Sequence, residues 1–496
     1  MSGKYKNLDV YLAEVFKQFV ALKDNDLKRS QEVFKSVFEQ VKQKMGEQCS
    51  FFNQYATQVM YAGSVYDGIK VSKLDEFDMD IVIKLPICYE DGENGITVEN
   101  DEPGFVRMRI TKPFDNLDKQ KEWETRHKVT RDWRDADKYF LQNKFRQWMH
   151  SIVQKAINEM DGRVDVHGVV YELRYKSSGP AYTLHVRGAA GDAFHLDVDL
   201  VPVIRFMTPR WPKGYRTIEG SQVREWLVVP KPNKCIQDER IRNRCWRLSF
   251  QEFEKEMMKG CQQLKNTIRL IKKLRDALGM KAIASYYIKT LFLWKIDKTD
   301  RKYWETKLSI TFRCMVQELH DAIVACNIPY YWNKRNNLIA GLKPTLQELY
   351  AGKLKAVLNS IEANDVDKVV AYLLTPGELK EFKESKFYQD QLAPNSGASS
   401  SVSRQELVVQ SAAAANDDRV SNLIELVKNL SEKMDALTDK MTLLDDRVSK
   451  LEMQKAEQSR TAFDDLNGLS FGVNSVAVGP LQCPNEVTVD NLLSFH

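Results

Sequence analysis

A mixed α/β core that gives way to a helical lobe, with a coiled coil near the C-terminus, is the architecture this 496-residue sequence predicts. Three observations carry it. Acidic and apolar residues alternate at period two in Glu76–Leu85 and again in Phe194–Ile204, as in strands that turn one face to a core. Beyond Trp211-Pro212 the apolar spacing changes to three and four residues, over segments too long for strands. A strict heptad then runs from Val420 to Leu451.

Between Asp26 and Glu47, the residues Val33, Phe34, Val37, Phe38, Val41 and Met45 recur at helical steps, while Lys28, Arg29, Lys35, Lys42 and Lys44 fall on other faces. This predicts a long amphipathic helix with a partly basic exterior. Gln58–Ala62 leads into Gly63-Ser64, and EFDMDIVIKL (Glu76–Leu85) then reads as a buried central strand. FHLDVDLVPVI (Phe194–Ile204) reads as a second one, with Tyr182–Val186 paired to it as a hairpin through the Gly188–Gly191 turn. Phe250–Leu278, Ala282–Trp294, Leu308–Ala325 and Leu346–Leu374 are helical by period and length. The expected organisation is therefore a core with an N-terminal spine helix over residues 1–210 and a helical lobe over 211–390. A disordered linker (391–417) follows, rich in Ser, Ala, Gly and Asn and too poor in apolar surface to order itself.

The coiled coil is placed at residues 418–456. Val420, Val427, Met434, Met441 and Val448 occupy a, and Leu423, Leu430, Leu437, Leu444 and Leu451 occupy d. Lys440 with Asp445 and Arg447 with Glu452 suit pairing across a parallel interface, so a homo-oligomer is expected, a dimer by the Val/Leu seam with a trimer left open. One amphipathic helix folding back on the body is the alternative. The tail, 457–496, carries no readable signal and is expected to be disordered.

With 43% apolar residues the chain is globular, and it contains no apolar run near the roughly 20 residues that cross a bilayer. The opening MSGKYKNLDVYLAEVF lacks a signal-peptide pattern, so a cytoplasmic location without membrane contact is expected, with the eight cysteines as free thiols. No two cysteines form a CxxC pair, which argues against a disulfide framework and against structural zinc. The net charge of +5 conceals a local excess: Lys231–Lys302 holds 19 Lys and Arg against 8 Asp and Glu, as a polyanion-binding face requires.

Residues two apart on a strand face the same way about 6.7 Å apart, so Glu76 and Asp78 converge on one site, and Asp197 on the second acidic strand supplies a third carboxylate. Such acids on apolar strands are costly without a cation between them. Hard Mg²⁺ suits this ligand set, with Mn²⁺ as a substitute, and a pair of ions is the arrangement that serves nucleotidyl transfer. Asp80 and Asp199 repeat the acid-x-acid spacing on the same faces, and the distance from Ser64 favours Glu76 with Asp78 over Asp80. Twelve residues ahead of Glu76, the Gly63-Ser64 turn offers N–H groups and a hydroxyl to phosphates.

Gly63-Ser64-Val65-Tyr66 through Lys70-Val71-Ser72 to Glu76-Phe77-Asp78 resembles the signature of cyclic GMP-AMP synthase and its animal cGAS-like receptor relatives. Pro180–Leu184, Leu196–Leu200, Val229–Lys231, Trp246–Phe250 with Glu254-Lys255-Glu256, and Ser285–Thr290 continue the resemblance in order, across roughly residues 25–380. It implies a polymerase-beta-like nucleotidyltransferase core that makes a cyclic dinucleotide of the cGAMP type from ATP and GTP, as a second messenger of innate immune signalling. By the resemblance, Glu76, Asp78 and Asp197 are the catalytic, metal-binding triad. Gly63 and Ser64 hold donor phosphates, Tyr286 stacks on a base, and Arg247 and Ser249 touch the acceptor base. Lys265 and Lys289 serve the triphosphate, and Lys231, Glu254 and Ser285 complete the nucleotide pocket.

The resemblance also implies that duplex nucleic acid binds along the spine helix and adjoining lobe, where the candidates are Lys28, Arg29, Lys35, Lys42, Arg240, Arg242, Arg244, Lys272, Lys273 and Arg275. Phosphate contacts of that kind carry affinity without sequence. From Met257 to Lys265 only Cys261 stands where the vertebrate enzyme has its zinc insertion, which tilts the expectation toward double-stranded RNA over DNA. Two rival readings keep the fold: an inactive scaffold oligomerised by the coiled coil, and an enzyme that adds nucleotides to an RNA end.

Overall fold

The period-two segments become strands of one sheet in the computed structural model, which describes residues 6–89, 95–178 and 181–392. The ten strands among these residues are β1 (Ala56–Ala62), β2 (Glu76–Ile83), β3 (Ile96–Asn100), β4 (Phe105–Ile110), β5 (Arg163–Val166), β6 (Val169–Ser178), β7 (Ala181–Arg187), β8 (His195–Met207), β9 (Glu225–Val229) and β10 (Cys245–Ser249). They run in the order β3-β4-β10-β9-β8-β7-β6-β5, with β2 also joined to β8 and β1 to β2. The 13-residue β8 is the hub, because its first part lies between β7 and β2 while its end, Ile204–Met207, passes to β9. Only the β2–β8 pair is parallel among the described strands, and it sets the acidic segments side by side.

Two helices from the N-terminal half pack against the sheet. The spine helix, Asp24–Gln48, buries the expected Val33, Phe34, Val37, Phe38, Val41 and Met45 and packs on the helix Gln142–Glu159. Phe34 lies stacked on Phe77 of β2 with ring centroids 4.0 Å apart, so the helix is keyed directly to the strand that bears the acids. The hairpin of β7 and β8 turns through Gly188–Gly191 as expected, closed by the Gly188 N–H donating to the Phe194 carbonyl.

The helical lobe follows, with two revisions of its segments. Phe250–Leu278 is two helices, Gln251–Met257 and Gln262–Ala277, parted where Gly260 takes a φ of +76°. Leu346–Leu374 is likewise Pro344–Glu362 and Val366–Leu373, parted at Asn364, where φ is +57°. The left-handed conformation ends each helix, a choice that apolar periodicity does not record. Strands β9 and β10 fall beyond residue 210, so the sheet runs past that expected boundary; five-residue strands such as Glu225–Val229 are too short to stand out from a helical background. No helix among the described residues is long and apolar enough to cross a membrane. The expected linker, coiled coil and tail (391–417, 418–456 and 457–496) lie outside the described residues, apart from residues 391 and 392.

Candidate active site

Parallel pairing of β2 with β8 sets Glu76 opposite Asp197 and Asp78 opposite Asp199, and β7 continues both rows with His185 and Thr183. One carboxylate oxygen each from Glu76, Asp78 and Asp199 lie within 4.8 Å of one another. Asp197 is engaged elsewhere: its Oδ1 is 2.7 Å from His185 Nδ1 and 3.0 Å from His195 Nε2. The expected triad therefore needs one correction, with Asp199 in place of Asp197. Sequence spacing puts both acids on one face, and only the register and the two histidines decide between them.

Three carboxylates this close repel unless a cation joins them. Burial lifts the Asp78 carboxyl to about pH 6, reinforced by Glu76 and Asp199 and opposed by Lys70. Burial likewise raises Asp199, and it raises Asp80 to about 7 with the charge of Asp78 adding to it. Lys70 partly compensates, its Nζ lying 2.9 Å from Asp75 Oδ1 and 3.0 Å from Glu76 Oε2. A cluster of hard oxygen ligands whose like charge is only partly relieved fits a divalent ion of the Mg²⁺ kind.

The Gly63-Ser64 turn is built against these acids. Gly63 has a φ of +72°, and a Cβ added there would sit 1.6 Å from Asp78 Oδ2. Only glycine lets the backbone come so near the carboxylate.

A cleft of about 350 Å³ opens beside the turn. Gly63, Ser64, Asp78, Lys231, Arg247, Ser249, Glu254, Ser285, Tyr286 and Lys289 line it, as the sequence led us to expect. Of the three acids Asp78 is the one that lines it; the Glu76 side chain is 48% exposed, and Lys265 packs against Gly68. One wall is acidic and another cationic. Burial, helped by the nearby Arg247 and Lys234, pulls Lys231 below its ordinary range. Arg247 lies 5.8 Å from the ring centre of Tyr286.

Two expected contacts change character. Lys289 is 6% exposed, with its Nζ 2.6 Å from Asp67 Oδ2 and 2.8 Å from Glu254 Oε2, so it is committed to the protein rather than to a triphosphate. Glu254 also accepts from Tyr286 Oη at 2.7 Å and Trp332 Nε1 at 2.9 Å, and so fixes the orientation of the Tyr286 ring. Sequence reasoning missed Asp67 and placed Lys272 on the wrong surface: Lys272 lines the cleft and donates from Nζ to the Ile69 carbonyl at 2.8 Å.

Burial, with Arg275 and Lys70 adding to it, brings the Lys272 ammonium down to about 8. It is charged below that pH and neutral above. The affinity of the cleft for a phosphate-bearing anion is expected to fall as pH climbs through about 8, and Lys272→Met to flatten that limb; titration with inorganic pyrophosphate across pH 7–9.5 checks it.

The outer basic face is smaller than charge counting implied. Lys28, Lys35 and Arg240 are exposed and Lys42 is half-buried. Arg29 is paired with Asp192 and lies 4.4 Å from the Phe194 ring centre. Arg242 donates to the Ile236 carbonyl, and Arg275 donates to the Ile283 carbonyl and Ser285 Oγ. Arg244, paired with Asp135 and Asp137, and Lys273, paired with Glu378, are buried, so with Lys272 they leave the set of duplex contacts. A charge count sees residue type but not which face of a helix goes inward.

Comparison with known proteins agrees with this architecture. Residues 65–260 match the Mab-21 protein nucleotidyltransferase domain and residues 263–356 the Mab-21 protein HhH/H2TH-like domain. The chain is 31% identical over 388 residues to a cyclic GMP-AMP synthase-like receptor of Aethina tumida, covering 76% of this chain and 94% of the relative. Proteins of the same name from Ctenocephalides felis and Tribolium castaneum are each 32% identical, over 398 residues (77% of this chain, 90% of the relative) and 386 residues (75% and 93%).

Proposed function

The chain belongs to the cyclic GMP-AMP synthase-like receptors, with a Mab-21 nucleotidyltransferase domain, and from that premise we propose that it joins ATP and GTP into a cyclic dinucleotide when duplex nucleic acid, RNA ahead of DNA, binds it. The observation that carries the reading is the meeting of Glu76, Asp78 and Asp199 near the Gly63-Ser64 turn, next to a cleft that Asp78 lines together with Lys231, Arg247 and an oriented tyrosine. Bound by those three acids, Mg²⁺ would polarise an attacking ribose hydroxyl and neutralise the departing pyrophosphate.

The residues divide the work around that chemistry. Ser64 Oγ and the turn's N–H groups hold the donor's outer phosphates, with Lys231 and Lys272 balancing their charge. Tyr286 stacks on one base, fixed in orientation by Glu254, while Arg247 and Ser249 reach the base edge of the acceptor. Asp199, held by the hydroxyl of Thr183, aligns the acceptor hydroxyl. After the first transfer the linear intermediate turns over in the same pocket, and a second displacement closes the ring.

Lys28, Lys35, Lys42 and Arg240 supply the duplex contacts that remain after burial is considered, and residues 418–456 supply the homo-oligomer. Purified protein with labelled ATP and GTP, in Mg²⁺ or Mn²⁺ and with or without duplex RNA or DNA, tests the reading. A phosphatase-resistant product that depends on duplex and fades steeply with salt is expected. A lengthened RNA would point to end addition, and no product under any condition to a scaffold.

A further inference from the structure

Two histidines stand beside the catalytic acids without a part in nucleotidyl transfer. His185 on β7 is the register partner of Asp197 on β8, and His195 precedes Asp197 by two residues on the same strand face. One nitrogen from each ring and one oxygen of Asp197 lie within 4.8 Å of one another. The side chain of His185 is 28% exposed and that of His195 43%, so the group borders solvent. The two rings lie 28° from parallel with centroids 6.3 Å apart, which leaves both nitrogens aimed at the same carboxylate.

We propose that His185, His195 and Asp197 form a binding site for a divalent transition-metal ion of the zinc class, separate from the Glu76, Asp78 and Asp199 centre. Imidazole nitrogen is the ligand that separates such ions from Mg²⁺, which prefers oxygen alone. With Zn–N distances of roughly 2.0–2.1 Å, a tetrahedral ion sets neighbouring ligand atoms about 3.3 Å apart. The two nitrogen-to-oxygen separations of 2.7 and 3.0 Å already approach that edge. Two adjoining strands fix the ligands, so closure around an ion requires ring rotation rather than backbone movement. On metal entry the coordinating nitrogens give up any proton to solvent or to the ring's other nitrogen, and Asp197 Oδ1 exchanges hydrogen bonds for a metal bond.

Three protein ligands at a solvent border leave a fourth position for water or an incoming oxygen ligand. Cysteine spacing, which speaks against structural zinc in this sequence, does not register ligands assembled from two paired strands. Glu76 pairs in register with Asp197, so an ion here would stand in the next column of the same sheet face. It would also keep Asp197 from competing with Asp199 for the catalytic cation.

The test uses the full chain, stripped with chelator and held in excess Mg²⁺, titrated with Zn²⁺ by calorimetry and with Co²⁺ by visible absorption. The expected result is a binding step with the intense visible bands of tetrahedral Co²⁺, weakened on the order of 100-fold by His195→Ala and by Asp197→Asn and retained in Asp78→Asn. His195 is exposed, so its variant should fold, and circular dichroism verifies that it does. Equal affinity in the parent chain and His195→Ala would overturn the site, as would loss of the step in Asp78→Asn alone, which would assign the ion to the catalytic acids. Neither readout needs nucleotide, so failure here leaves the proposed reaction untouched.

Discussion

Asp199→Asn is expected to slow nucleotidyl transfer by on the order of 10³-fold, while Asp197→Asn stays within about tenfold of the parent chain. The amide keeps the shape of the carboxylate and removes the charge that, with Glu76 and Asp78, gathers within 4.8 Å to hold a cation. Losing one such ligand forfeits several kcal/mol of charge stabilisation in the transition state, and each 1.36 kcal/mol is tenfold in rate. Stability should move the other way. Burial raises the Asp199 carboxyl above its unfolded range, so its charged form disfavours the folded state above the folded pKa, and Asn relieves that cost at neutral pH. Initial rates at saturating Mg²⁺, paired with thermal melts of the metal-free chain, separate the two effects. If Asp197→Asn were the silent enzyme and Asp199→Asn the active one, the register-based assignment would be wrong.

That pair of variants marks the limit of what the sequence discloses. The acidic strands, the glycine turn and the spine helix were legible because each leaves a periodic or conformational trace: Phe34, Val37 and Val41 are buried as their spacing requires, and Gly63 stands where a Cβ has no room. Asp197 was preferred to Asp199 although both point to one face of one strand, where spacing does not separate them. What separates them is a neighbour on β7, His185, brought close by pairing across a turn. The same limit governs the cations. Lys272 lies in a basic stretch that suggests an outer face and Lys289 was expected at a triphosphate, yet one is turned toward the Ile69 carbonyl and the other into two carboxylates. Local pattern reports faces and periods, while partners depend on tertiary contacts such as the one between Lys289 and Asp67, 222 residues apart.

The inward turn of Lys289 leads to the largest expected effect on folding. Lys289→Met should destabilise the chain by about 3–5 kcal/mol, because it leaves Asp67 and Glu254 facing one another without their shared cation. Asp67 and Glu254 are 9% and 4% exposed, so water cannot take the ammonium's place without opening the cleft. Burial by itself would lower Lys289, yet Glu254 and Asp67 outweigh it and hold the ammonium above its ordinary range. The charge is therefore retained throughout the neutral range, and the loss on substitution should shrink as pH falls far enough to protonate one of the two stranded carboxylates. Adding Glu254→Gln to Lys289→Met should recover part of the stability by removing one of the stranded charges, although Tyr286 and Trp332 then donate to a weaker acceptor. Urea unfolding of the single and double variants measures both quantities. A lysine that served chiefly to grip a triphosphate would behave differently: its loss would raise the KM for nucleotide and leave the unfolding midpoint where it was. The expectation is a fall in the midpoint first, with activity lost as a consequence of the released Glu254 no longer aligning Tyr286.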